Sequence, residues 1–133
     1  SPQLTLADVT AAKSRGVTLV VNNRPEGEAE DQTPGAAIEA AARAAGMDYL
    51  AIPITPGTFD EAQVHAMAEA LGRADGNVLA YCRTGTRSTL LWALTQAANG
   101  KAIEAIAAAA AAAGYDVSPV LPAMMELSRR AKG

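Results

Sequence analysis

The chain has 133 residues, a length that suits one domain, and half of them are hydrophobic although only 4% are aromatic. Eleven basic side chains stand against 14 acidic ones for a net charge of -3, which leaves no basic footprint for nucleic acid or for an anionic membrane. One cysteine and one histidine exclude a disulfide framework and a zinc site of several Cys and His ligands, so no metal and no other cofactor is expected.

Thr5 and Asp8 have the spacing of a helix cap, and Leu6, Val9 and Ala12 continue a short helix that Gly16 stops. The β-branched run from Val17 to Val21 predicts a strand buried on both faces, with Asn22, Asn23 and Arg24 at its polar carboxyl end. Between Pro25 and Gly35, Glu26, Glu28, Glu30 and Asp31 sit among prolines and glycines, which predicts a solvated loop. Thr33 as cap and Pro34 at the first position open an alanine-rich helix running to Gly46. Met47 to Ile54 predicts a second strand that frays at Pro53, and Thr55-Pro56-Gly57 a turn. Thr58 and Glu61 then have capping-box spacing for a helix ending near Gly72, with Val64, Met67, Ala68 and Leu71 on its apolar face. Asn77 to Tyr81 predicts a third strand, followed by a loop from Cys82 and an apolar helix that begins at about Ser88. Residues 101–113 predict a further helix closed by Gly114, and the last regular helix begins near Leu121, behind Ser118 and Pro119.

Residues 2–4 add a candidate edge strand. The alternation predicts an α/β fold with a small parallel, mostly four-stranded sheet and helices on both faces. A single domain over residues 1–133 is expected. The Ser1 start predicts trimming at the N-terminus or excision from a longer protein, and no signal-like or membrane-spanning run is present, so a cytoplasmic location is expected.

In such a sheet, ligands bind at the carboxyl ends of the strands, where the Cys82 loop falls. A tight loop containing Gly85 and leading into a helix turns successive N–H groups inward and adds the positive end of the helix dipole, which makes an anion cradle. A thiol at its floor has its pKa lowered and becomes a nucleophilic thiolate. Arg87 and Arg83 offer forked donors to an anion, and Thr84, Gly85, Thr86 and Ser88 complete the cradle. Asn22, Asn23 and Arg24 lie at the same edge, as support for the loop before direct contact. Asp60 is the one nearby candidate for a general acid, although the first turn of a helix favours an acidic residue without any catalytic role. His65 is expected to be exposed and Trp92 to be core.

Tyr81-Cys82-Arg83-Thr84-Gly85-Thr86-Arg87-Ser88 resembles the active-site loop of single-domain rhodaneses, which carry sulfane sulfur as a cysteine persulfide. Taken with Val20-Val21-Asn22-Asn23-Arg24-Pro25 and Ile52-Pro53-Ile54-Thr55-Pro56, the loop resembles a bacterial family with a dual-specificity-phosphatase-like fold. That family is described as beta-lactamase-hydrolase-like or as sulfurtransferase, and the likeness spans roughly residues 10–115. Cysteine phosphatases place histidine before the cysteine and arginine six positions after it. Here Tyr81 replaces the histidine and Arg87 comes one residue early.

The resemblance implies a cysteine-dependent sulfurtransferase: Cys82 takes sulfur from a small anionic donor and passes it to an acceptor thiol. The alternative it implies is a phosphatase-like hydrolase working through a cysteinyl phosphate. A third reading is a non-catalytic module that binds anions or persulfides.

Overall fold

The computed structural model describes residues 1–132. The first helix, α1 (Leu6–Lys13), starts where the sequence predicts it: Thr5 Oγ1 accepts from the Asp8 N–H at 3.1 Å while Asp8 Oδ2 accepts from the Thr5 N–H at 2.9 Å. Gly16, at φ +79°, turns the chain into β1 (Val17–Asn22). Successive residues of β1 bury opposite faces of the sheet. Val20 joins Leu4, Val9, Ala12, Ile38, Ala42, Met47 and Tyr81 in one apolar cluster, and Val21 belongs to the larger cluster on the other face.

The cap of α2 (Gly35–Ala44) differs from the expected Thr33. Pro34 occupies the cap position and has no side chain to offer, so the Glu26 carboxylate reaches nine residues forward and accepts from the Gly35 N–H at 2.8 Å. The second strand is shorter than predicted: β2 (Asp48–Ala51) stops before Pro53, which has no N–H for a ladder. Helix α3 (Glu61–Arg73) is capped by Asp60 with Gln63 rather than by Thr58 with Glu61. The Asp60 Oδ1 accepts from Gln63 N–H at 2.8 Å, and Gln63 Oε1 accepts from Asp60 N–H at 2.9 Å. Two overlapping box spacings competed, and the one starting two residues later closed.

After β3 (Asn77–Tyr81) comes α4 (Thr86–Ala98), two residues earlier than expected, and then α5 (Ile103–Ala112). A 3-10 turn at Ser118–Val120 leads into α6 (Leu121–Lys132). The sheet has three strands in the order β2-β1-β3, all parallel, where the sequence predicts mostly four. Residues 2 and 3 run beside the loop that follows β3, where they make a single antiparallel bridge, Pro2 to Thr84, because proline lacks the donor that a ladder needs. Helices α1 and α2 cover one face. On the other, Leu90, Leu91 and Leu94 of α4 pack with Met67, Ile106, Val117 and Met124. No helix among the described residues is long and apolar enough to cross a membrane.

Candidate active site

The three strands end together, since Asn22 pairs with Ala51 of β2 on one side and with Tyr81 of β3 on the other. Beyond that line the backbone continues as an ordered layer. Asn23 N–H donates to Tyr81 O at 2.8 Å and Ile54 N–H to Asn23 O at 2.9 Å, and the buried Asn23 Nδ2 donates to Ile52 O at 2.9 Å. That last bond fixes the orientation of the amide and aims Oδ1 at the Ser88 hydroxyl, 2.8 Å away. Asn22 is likewise a brace: its Oδ1 accepts from Arg24 N–H and its Nδ2 donates to Tyr49 Oη, each at 2.9 Å.

Cys82 follows directly and is fully buried. The Gly85 N–H donates to its sulfur at 3.1 Å. Burial pushes the thiol pKa up, but the N–H groups of Ser88, Gly85 and Thr84 and the Ser88 hydroxyl outweigh it and hold the thiol below its ordinary value. These donors belong to a loop that Gly85 turns with φ +92° and to the first turn of α4, whose dipole favours the anion. Ser88 has one hydroxyl proton. Donated to Asn23, it leaves the oxygen free to accept from S–H; turned to the sulfur, it stabilises the thiolate.

Arg87 has five N–H donors, and the protein engages three of them. Nη1 donates to Glu28 Oε2 at 2.8 Å and to Ile54 O at 2.7 Å, and Nη2 donates to Glu28 Oε1 at 2.9 Å. What is left is the side-on fork of Nε–H and the second Nη2–H, on a guanidinium close enough to Cys82 for the thiolate to stabilise its charge. Its charge is stabilised first by the Glu28 hydrogen bonds, against burial, and further by the thiolate.

Glu28 is the residue the sequence did not single out. The segment from Glu26 to Asp31 is the exposed loop the sequence predicts, but two of its carboxylates are engaged. Glu26 caps α2, and the Glu28 carboxylate, with a side chain only 19% exposed, joins Arg87 to Arg24. The Glu28 pKa is lowered, first by the Arg87 hydrogen bond and, against burial, by that of Arg24. Arg24 is itself buried, with Nε on Glu28 at 3.0 Å and Nη1 on Gln3 Oε1 at 3.0 Å. The only sequence signal was the recurrence of acidic residues beside a strand end, which solvation explains equally well.

The remaining predicted residues fall as follows. Arg83 is exposed at the rim, with no ion-pair partner within 4.0 Å among the described residues. Thr84 and Thr86 are exposed and bonded to each other through their hydroxyls at 3.1 Å. Asp60 is exposed and engaged as the cap of α3, His65 is exposed, and Trp92 is half-buried against the larger cluster.

Residues 1–99 match the family described as "Beta-lactamase hydrolase-like protein, phosphatase-like domain". A beta-lactamase hydrolase-like protein of Agrobacterium fabrum is 36% identical over 96 residues, which is 72% of this chain but 22% of that protein. The chain thus spans about a fifth of the length of the curated relatives it matches. The crystal structure of a candidate phosphatase of Neisseria meningitidis superposes with a TM-score of 0.81 at 35% identity, over 97% of this chain and 89% of that one. A kinase associated phosphatase, solved with its catalytic-site cysteine replaced by serine, gives 0.69 at 18% identity over 96% and 75% of the two chains, a likeness of fold. The α/β fold is what these structures share with it, and the chain belongs to the phosphatase-like domain family of the beta-lactamase hydrolase-like proteins.

Proposed function

We propose that the chain is a cysteine-dependent hydrolase of phosphate monoesters with good leaving groups, aryl phosphates above all, working through a cysteinyl phosphate. The observation that carries this reading is the two-donor fork that Glu28 and Ile54 leave open on Arg87, near a sulfur whose own charge is stabilised by N–H groups. Two parallel N–H donors suit two oxygens of a phosphoryl group. The Cys82 thiolate attacks phosphorus, the S–P bond forms, and the P–O bond breaks with its electron pair leaving on the phenolate. Water then attacks phosphorus, the electron pair of the S–P bond returns to sulfur, and inorganic phosphate departs. The family match and the phosphatase-like fold support this reading over sulfur transfer.

Sulfur transfer remains the second reading on a specific observation. Arg87 follows Cys82 by five positions, one short of the phosphatase spacing, and Asp60 is committed to a helix cap. In that chemistry the thiolate attacks the outer sulfur of thiosulfate, the S–S bond breaks, sulfite leaves with the electron pair, and an acceptor thiolate removes the sulfur. No proton donor is needed.

Mass spectrometry of the acid-quenched protein separates the two. A gain of about 80 Da after an aryl phosphate, lost in Cys82→Ser together with turnover, is the expected result. A gain of about 32 Da after thiosulfate, with no phosphoryl adduct at any enzyme concentration, would replace hydrolysis by sulfur transfer.

A further inference from the structure

The Cys82 loop is held from outside as well as from within. In a trans peptide the C=O and the N–H point in opposite directions, so a donor that grips the carbonyl from one side aims the N–H to the other. The Thr84–Gly85 peptide is gripped in this way. Its carbonyl accepts from the Tyr115 hydroxyl at 3.0 Å, and its N–H donates to Cys82 Sγ at 3.1 Å. The preceding peptide is held from the same outer side, Arg83 O accepting from Gln3 N–H at 3.1 Å.

Tyr115 is well fixed for the purpose. Its own N–H donates to Ala110 O at 2.9 Å as α5 ends, and Asp116 Oδ1 accepts from Ser118 N–H at 2.9 Å to close the next turn. Its ring is half-buried against the larger apolar cluster. A Cβ on Gly85 would collide with the Tyr115 hydroxyl, so the loop glycine and the tyrosine fit one another. Tyr115 lies beyond residues 1–99, the stretch that matches the family.

We propose that Tyr115 is a positioning residue for the nucleophile: its hydroxyl locks the Thr84–Gly85 peptide with the N–H turned to Cys82 Sγ. The inference rests on the thiol-nucleophile reading of the site. The charged groups that face the sulfur, the Arg87 guanidinium and the Ser1 ammonium of this chain, are left in place when the hydroxyl is removed.

Tyr115→Phe keeps the ring and deletes only the donor. The rate of Cys82 alkylation by iodoacetamide, followed against pH well below the melting temperature, is expected to show its midpoint raised by about half a unit to one unit. Turnover of aryl phosphate at neutral pH is expected to fall about two- to tenfold, with a smaller change in KM. An unchanged alkylation midpoint overturns the proposal, whatever happens to the melting temperature, because a purely structural tyrosine leaves the thiol alone. A raised midpoint in a protein whose parent turns over no phosphate ester removes the hydrolase reading and leaves the role of Tyr115 standing.

Discussion

Asp60 and Glu28 are both engaged carboxylates, one at a helix start and one between arginines. Asparagine caps a helix about as well as aspartate, so Asp60→Asn is expected to leave both the melting temperature and aryl phosphate turnover within about twofold of the parent. A loss of tenfold or more in kcat, in a variant that melts normally, would make Asp60 the acid after all. Cys82 and Arg87 were legible in the sequence because strand, nucleophile, glycine and arginine fall within one short segment whose chemistry is local. Glu28 was not, because its partner Arg87 lies 59 positions away and nothing at either place marks the other. Tyr115 was invisible for the same reason, with 31 positions between it and Thr84.

Among the elements, those specified by neighbouring residues stand where the sequence puts them. The Thr5 and Asp8 box opens α1, and the β-branched run makes β1. Errors gathered where two local signals overlapped or where a distant group decided the outcome: the cap of α3 moved from Thr58 to Asp60, and the cap of α2 came from Glu26. The sheet lost its predicted fourth strand at Pro2 for want of a donor. The loop between β3 and α4 carries the sharpest demand, since Gly85 is both left-handed and crowded by the Tyr115 hydroxyl. Gly85→Ala is expected to cost about 1–2 kcal/mol in chemical denaturation and to slow Cys82 alkylation at neutral pH. An alanine variant as stable and as reactive as the parent would show that the loop tolerates another backbone path.

At the scale of the whole molecule, Glu28 ties the segment after β1 to the start of α4, beside the Ser88 to Asn23 bond. A carboxylate whose pKa is lowered on folding adds stability above its unfolded value, about 4.3, and that contribution disappears as the pH falls through the lower folded value. Glu28→Gln is therefore expected to be less stable than the parent at neutral pH, with the gap closing below about pH 4. A gap in denaturation midpoint that stays constant from neutral pH to pH 3 would mean the carboxylate contributes through packing rather than charge.

Because Glu28 and Ile54 consume one whole end of the Arg87 guanidinium, the pocket does not offer a diffuse positive charge to its ligand. It offers a flat, two-pronged gauge at a set orientation to the sulfur. A tetrahedral oxyanion can span both prongs where a spherical halide cannot, so the proposed site is expected to select anions by shape as well as by charge.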